Sequence, residues 1–372
     1  MLVNGKKYRT IWTDKRNKEV VFAINQNKLP FKFEVVKIKS SRAAVVAIKN
    51  MIVRGAPLIG AAGAYGVYLS LLEAEKKYNK PEDVNKYVLD FSRLIISARP
   101  TAVNLKWAVS KTLNNVLKQK TISAKIHSAL KTASDICEND VHACRNIGKH
   151  GLKIIRNLSA KKGKGVFNIL THCNAGWLAV IDYGTALAPV YLAKEAGLDV
   201  HVWVEETRPR NQGARLTAWE LAQNGISYTL ITDNAGGYVM QKKMVDMVIV
   251  GSDRTTLSGD VCNKIGTYKT ALAAYDNKIP FYAAVPMSSF DLNMKNGVKE
   301  IPVEERSHDE IKYVEYFDGN KISKGLITFN TANIRNFGFD ITPSKYVTGI
   351  ITEKGVIKPN ERSIRKLFRN KQ

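Results

Sequence analysis

Past Lys164 the chain alternates short apolar runs with stretches of helical length, and this alternation constrains the fold more than any other feature. The runs are VFNIL (166–170), DVHVWV, SYTLIT, MVIV and PFYAAV. Helical segments lie between them, over about 178–196, 216–224, a short stretch near Met240, and 265–276. Apolar strands separated by helices form βαβ units and a parallel sheet rather than hairpins. The class is therefore α/β, with a Rossmann-like parallel-sheet domain at the C-terminal side. No GxGxxG fingerprint sits at any of its strand–helix turns, so a dinucleotide is not inferred.

The N-terminal part is patterned differently. YRTIW, EVVFAI and FKFEVVKI are short alternating or apolar runs separated by charged and Asn-containing turns, which predicts a small antiparallel sheet or meander. Helical periodicity takes over at Ser41, with Ser40 or Ser41 as the cap of RAAVVAIKNMIV. RGAPLIG then breaks that segment, a small-residue helix follows to Glu75, and further helices are expected over about Val84–Ala98 and Asn104–Lys118. Residues 121–158 carry apolar positions at helical spacing among charges and read as one long helix or two in succession. The expected organisation is a smaller mixed α+β N-terminal domain over 1–120, a connecting helical segment over 121–160 and the Rossmann-like domain over 161–372. At 372 residues, more than one domain is the natural expectation.

Bulk composition narrows the function classes. The formal net charge of +24 raises a polyanion or a membrane surface as a partner. Lys and Arg are scattered singly, however, and are dense only at 161–164 and in the tail from Lys358 to Lys371, so a solvated lysine-rich surface is favoured over a nucleic-acid face. Cys137, Cys144, Cys173 and Cys262 form no CxxC pair and the histidines lack metal-ligand spacing, which argues for neither a metal site nor a disulfide framework. With no signal-like N-terminus and no run of about 18 apolar residues, a cytoplasmic, reducing setting is expected and a membrane partner is not.

The chemistry-bearing residues cluster just after the strands. VDMVIVGSDRTTLSGDVCNKIGTY delivers Asp253, Arg254, Asp260, Asn263 and Lys264 where an apolar run stops, and VFNIL ends in Thr171, His172, Cys173 and Asn174. Carboxyl ends of parallel strands are where open sheets build sites. Glu205 to Arg208 and Asp233–Asn234 follow two further strands. Each has a structural alternative: Asp, Asn and Thr at such turns also cap helices, and a lone cysteine is usually a small buried hydrophobe. Cys173 precedes an expected helix, whose N-terminal amides would favour its thiolate. Arg54-Gly55-Ala56, Arg99-Pro100-Thr101, Gln212-Gly213-Ala214-Arg215 and Asn263-Lys264 each pair a side-chain donor with an expected helix start, a recurring device for an anionic small substrate.

Taken together, RGAPLIGAAGAYG, ARPTAVNLKWA, THCNAGWLA, ETRPRNQGARLTAWEL, TLITDNAGGYVM, VIVGSDRTTLSGDVCNKIGTY and IPVEER resemble, in order, the signatures of the S-methyl-5-thioribose-1-phosphate isomerase family, which is related to the regulatory subunits of the initiation-factor-2 nucleotide exchange factor. The resemblance runs from about residue 50 to about 355. It implies a protein that is usually a homodimer and converts the aldose 5-methylthioribose 1-phosphate to the ketose 5-methylthioribulose 1-phosphate in methionine salvage or a related methylthioadenosine-recycling route; the sequence indicates no metal or organic cofactor. It further implies Cys173 and Asp253 as the catalytic pair, and Arg54, Gly55, Ala56, Arg99, Gln212, Asn263 and Lys264 as phosphate and sugar contacts. Ser252 stands where Ala or Thr is frequent in the family, and Trp177 replaces a small residue of some members, a change expected to reshape the pocket for the 5-substituent.

In that chemistry the anomeric oxygen carries phosphate, so the ring cannot open to a free aldehyde. A protonated Asp253 is expected to donate to the departing ring oxygen. Cys173 then serves either as the base of a proton transfer from C2 or as the stabiliser of a hydride shift. The readings that compete with this one are a 5-deoxyribose-1-phosphate isomerase, a ribose-1,5-bisphosphate isomerase and a non-catalytic regulatory subunit of the exchange factor.

Overall fold

The structure, a computed structural model, describes residues 1–14, 17–100 and 102–369; Thr101 and Lys371 lie outside the described residues. The chain divides into two compact units, one of Tyr8–His142 with Leu178–Asp182 and one of Met1–Lys7, Ala143–Trp177 and Tyr183–Gln372. The 41-residue helix Ile122–Lys162 passes through the boundary between them. No helix among the described residues is long and apolar enough to cross a membrane.

In the first unit, Ile11–Thr13, Val21–Ile24 and Val35–Ile38 form a three-stranded antiparallel meander. The helix Ser41–Lys49 follows, capped by the Ser40 hydroxyl, which accepts from the Ala43 amide. The helix Ala56–Glu75 is buried on nearly every side. Its glycines explain how it tolerates neighbours all round: a Cβ on Gly63 would sit 2.6 Å from Leu105 Cδ1, and one on Gly66 would sit 2.9 Å from Ile95 Cδ1. Pro81–Ser97 and Val103–Leu117 therefore press directly onto its backbone. Contact this close is possible only where no side chain intervenes.

The second unit is built on a seven-stranded sheet, ordered Gly355–Ile357, Gly349–Thr352, Phe281–Ala284, Met247–Val250, Phe167–Thr171, Val200–Glu205 and Ser227–Ile231. All neighbours are parallel except the edge pair Gly349–Thr352 and Gly355–Ile357. From Phe167–Thr171 the chain winds outward through the next two strands, then returns to lay Met247–Val250 against the other side of that first strand. The strand order thus reverses between Phe167–Thr171 and Met247–Val250. A ligand crevice forms at such a switch point, outside the carboxyl ends of the two strands. Met247–Val250 is buried at every position, as a strand covered on both faces must be.

Two features depart from the expected pattern. The stretch 178–196 is helical only as a single 3₁₀ turn, Trp177–Ala179, and a helix from Ala188 to Glu195. A second, four-stranded sheet of Phe290–Asp291, Arg254–Thr256, Val261–Lys264 and Phe339–Thr342 was not expected. Its central hairpin sets Arg254 opposite Cys262 and is paired antiparallel to Phe339–Thr342. Strands of two to four residues, rich in polar side chains, carry too short an alternation to stand out in a sequence.

Candidate active site

Cys173 and Asp253 follow the two strands that flank the switch point. The Thr171 hydroxyl donates to the Ile249 carbonyl at 2.7 Å, which ties the two strand tips together just before they part. Lys264, at the end of the hairpin strand, interacts electrostatically with both Cys173 and Asp253. It is buried, with 5% of its surface exposed. Burial pulls its ammonium below the ordinary lysine range and the like charge of Arg306 adds to this, while the charges of Cys173, Glu310 and Asp253 oppose the shift. A desolvated ammonium within electrostatic reach of a thiol and a carboxyl group is suited to anchor an anion.

Cys173 is partly exposed and its backbone is left-handed, with φ of +67°. Non-glycine residues in that region are held there by their surroundings, often at working sites. Here the Cys173 amide donates to Thr207 Oγ1 at 2.9 Å and its carbonyl accepts from Thr217 Oγ1 at 2.7 Å. The other cysteines are buried: burial drives the Cys262 thiol far up, and takes that of Cys137 to about 12. Cys173 is thus the accessible thiol. The expected helix dipole behind it is not what acts on it, because only a 3₁₀ turn follows and the next α-helix begins at Ala188; the nearby cation is Lys264.

The loop after Phe167–Thr171 is wrapped around two buried carboxylates. Glu220 accepts from Asn174 Nδ2, the Trp177 amide and the Tyr191 hydroxyl, each at 2.9 Å. A Cβ on Gly176 would fall 1.7 Å from its Oε2, so the glycine of the HCNAG block is a steric requirement. Glu205 lies 2.7 Å from His172 Nδ1 and 3.0 Å from the Thr270 hydroxyl. Trp177 is fully buried beside Trp219, a core position rather than the wall of a pocket.

Asn263 Nδ2 donates to Thr267 Oγ1 at 3.0 Å, and Gln212 keeps a buried Oε1 without a hydrogen-bond partner among the described residues. A buried acceptor of this kind costs free energy unless a ligand hydroxyl satisfies it. Lys264 ends a strand rather than starting a helix, and the helix Thr267–Asp276 gives its Gly266 and Tyr268 amides to Asp340, at 2.7 and 3.1 Å. Those two amides are committed to the Asp340 carboxyl rather than to a bound anion.

The structure places Cys173, Gln212, Asp253, Asn263 and Lys264 in the unit with the parallel sheet, and Arg54, Gly55, Ala56 and Arg99 in the other. Gly55 stands at φ +95° immediately before Ala56–Glu75, and a Cβ there would be 2.2 Å from the Ala179 carbonyl oxygen. The amides that open this helix receive no side-chain cap. Arg99 lies in the turn between Pro81–Ser97 and Val103–Leu117, where its carbonyl accepts from the Ala102 amide.

Two residues that drew notice in the sequence are structural. Asp260 accepts from the Gly297 and Ser344 amides and from Ser258 Oγ, and Asp233 holds the Thr207 and Arg208 amides at 2.7 Å each. His172, Glu205 and Asp233 have ligand-capable atoms within 4.8 Å of one another, but these atoms are engaged in the hydrogen bonds just described. Residues missed in the sequence are Asp340, Glu220 and the Arg306 cluster. Arg306 bonds Glu304 and Glu310, Glu310 also meets Arg210, and these contacts hold the Glu310 carboxyl down at about 2. The ETRPRNQGARLTAWEL block contains Glu220 and the IPVEER block contains Arg306, but neither pointed to these roles, because buried partners lie far apart in sequence.

Asp340 makes a pH test available. Burial raises its carboxyl to about 6, against the pull of the two amides, His172 and Lys264. A raised carboxyl contributes stability that is fully present below the unfolded value near ~4 and lost as pH rises through the folded one. Wild type should therefore lose thermal stability relative to Asp340→Asn as pH rises from about 4 to about 6, and the difference should stay constant above that. Parallel curves would contradict the assignment.

The sequence profile described as the initiation factor 2 subunit family matches residues 52–359. The chain belongs to that family. The methylthioribose-1-phosphate isomerase of Desulfatibacillum aliphaticivorans is 50% identical to this chain over 371 residues, covering 100% of both chains. The crystal structure of 5-methylthioribose 1-phosphate isomerase from Pyrococcus horikoshii OT3 is 38% identical, covers 98% of this chain and 97% of that one, and superposes with a TM-score of 0.85. A structure described as translation initiation factor eIF-2B, subunit delta, from A. fulgidus is 39% identical over 98% of this chain and 100% of that one, with a TM-score of 0.82. This chain is thus similar over nearly its whole length both to proteins named as isomerases and to one named as a translation factor.

Proposed function

We propose that this chain isomerises 5-methylthioribose 1-phosphate to 5-methylthioribulose 1-phosphate, as a step of methionine salvage. The observation that carries the reading is the placement of Cys173 and Asp253 beyond the two strands flanking the switch point, with buried Lys264 interacting with both. The curated relatives at about half identity over the whole chain support the isomerase reading over the translation-factor one.

The proton balance closes on these two side chains. Asp253 gives its proton to the ring oxygen as the C1–O bond breaks, leaving an oxocarbenium ion at C1 that still bears the phosphate. On the proton route, the Cys173 thiolate removes hydrogen from C2, an enol phosphate forms, and the thiol returns that proton to C1 as the C2 hydroxyl proton passes back to Asp253. On the hydride route, hydrogen moves from C2 to C1 directly and Cys173 stabilises the migrating charge. Asp253 is regenerated either way, and substrate and product are isomers, so no external redox partner is required. Arg54, Gly55, Ala56, Arg99, Gln212, Asn263 and Lys264 hold the phosphate and sugar hydroxyls in this reading; Lys264 is suited to the first role and the open Gln212 acceptor to the second. The family resemblance extends the reading to a homodimer at work in the cytoplasm.

Purified protein offered 5-methylthioribose 1-phosphate, 5-deoxyribose 1-phosphate and ribose 1,5-bisphosphate at matched concentration should turn over the first with the highest kcat/KM. Preference for either of the others reassigns the substrate, and no turnover of any of them returns the chain to the translation-factor reading.

A further inference from the structure

His172 precedes Cys173, and the reaction scheme above does not use it. It is buried, with 1% exposure, and both ring nitrogens face acceptors. Nε2 lies 2.8 Å from the Ile265 carbonyl, and Nδ1 lies 2.7 Å from Glu205 Oε2. A carbonyl carries no hydrogen, so Nε2 must donate. The remaining question is which side of the 2.7 Å contact holds the second proton.

The surroundings answer it. Glu205 Oε2 also lies 3.0 Å from the Thr270 hydroxyl, whose one proton has the Gly266 carbonyl at 3.0 Å as an alternative acceptor, so the charges around the ring decide the matter. The charges of Asp233 and Asp340 act on the ring as well, so it sits among three acidic groups. Lys264 is the cation that shares this environment, through Asp340. Burial alone would strip the ring of its proton, but the Glu205 bond and charge, with Asp233 and the Ile265 carbonyl, outweigh it and raise the imidazole above its ordinary range. A Cβ on Gly266 would strike the ring at 2.8 Å from Cε1, so that glycine at φ +105° is what lets the backbone after Lys264 lie against it.

We propose that His172 is a positioning residue, a doubly donating imidazolium that fastens the Cys173 loop to the end of the strand bearing Lys264. Glu205 stands at the tip of Val200–Glu205, and Ile265 directly follows Val261–Lys264. One ring therefore ties three strand ends together. With residue 172 pinned, and the Cys173 amide and carbonyl held by Thr207 and Thr217, the left-handed Cys173 backbone is fixed relative to the strand that bears Lys264. Neutral histidine, or any amide in its place, could satisfy only one of the two acceptors with the same ring geometry. The inference rests on the isomerase reading only in naming Cys173 as the working thiol.

The test is NMR of protein labelled with ¹⁵N in the histidine rings, at pH 8. His172 should show two protonated ring nitrogens when histidines near their ordinary value of ~6.5 have lost one. His172→Asn should remove that signal, and Glu205→Gln should reduce it to a single N–H. In the isomerase assay His172→Asn should lower kcat about 100-fold with KM within about threefold, as expected for a misplaced reacting group. A single protonated nitrogen on wild-type His172 at pH 8 overturns the proposal, as does a folded His172→Asn with unchanged kcat. Should the variant not fold, the wild-type spectrum alone decides. If the wild type fails to isomerise any sugar phosphate while the doubly protonated ring is present, the isomerase reading fails and the imidazolium stands.

Discussion

Asparagine in place of Asp253 should cut turnover of 5-methylthioribose 1-phosphate roughly 10³-fold or more while leaving its affinity within about threefold, the upper part of the range for loss of a positioned general acid. The reason is specific to this substrate. Phosphate on the anomeric oxygen blocks the ordinary opening to an aldehyde, so the ring oxygen must take its proton as the bond to C1 breaks. Asparagine fills the same space and retains hydrogen-bonding capacity but has no acidic proton to give. The Asp253 amide, which donates to the Cys262 carbonyl at 3.0 Å, is unaffected by the change, so the hairpin should keep its register. Steady-state kinetics with product identified by NMR measures both quantities, and a raised KM with kcat intact would make Asp253 a binding group instead.

Alanine at Gly213 should be the most destabilising single methyl in the second unit. An ideal Cβ there lies 1.7 Å from the Glu205 carbonyl oxygen and 2.9 Å from its carbonyl carbon. These are backbone atoms of a central strand's end, and they cannot yield as a flexible side chain would. Relief requires Val200–Glu205 or the Gly213–Thr217 turn to move, and either motion disturbs Thr207, Thr217 and with them both backbone anchors of Cys173. We expect a loss of about 3 kcal/mol or more, in the class of severe backbone strain. Thermal unfolding should show an apparent Tm lower by at least about 5 °C. An unshifted midpoint would contradict this account of the Gly213 backbone.

Much of this was legible in the sequence for physical reasons. The parallel sheet announced itself because buried strands read as unbroken apolar runs, and the switch point then followed from where Thr171 and Val250 lie in the strand order. Cys173, Asp253 and Lys264 were visible because polar residues directly after such runs stand out. What stayed hidden depends on contacts between distant segments. Asp340 pairs with Asn263 across an antiparallel ladder and caps a helix 74 positions earlier in the chain, at Gly266. Glu220 and Glu205 read as ordinary helix and strand-end acids until their buried partners, Tyr191 and Trp177 for one and His172 for the other, are seen. The expected helix behind Cys173 failed because residues 180–187 carry apolar side chains for burial without continuing a helix; Gly184, at φ +89°, interrupts them. The glycine there is required, since a Cβ would meet Gly176 Cα at 2.6 Å.

The most direct test is a double-substitution cycle on kcat/KM for 5-methylthioribose 1-phosphate, with Cys173→Ser, Asp253→Asn and the pair together. If the two side chains serve one reaction, each single change should cost roughly 10³-fold and the double change little more than the worse single, because residues that act as a unit are not additive. Near-wild-type turnover by either single variant would contradict the account.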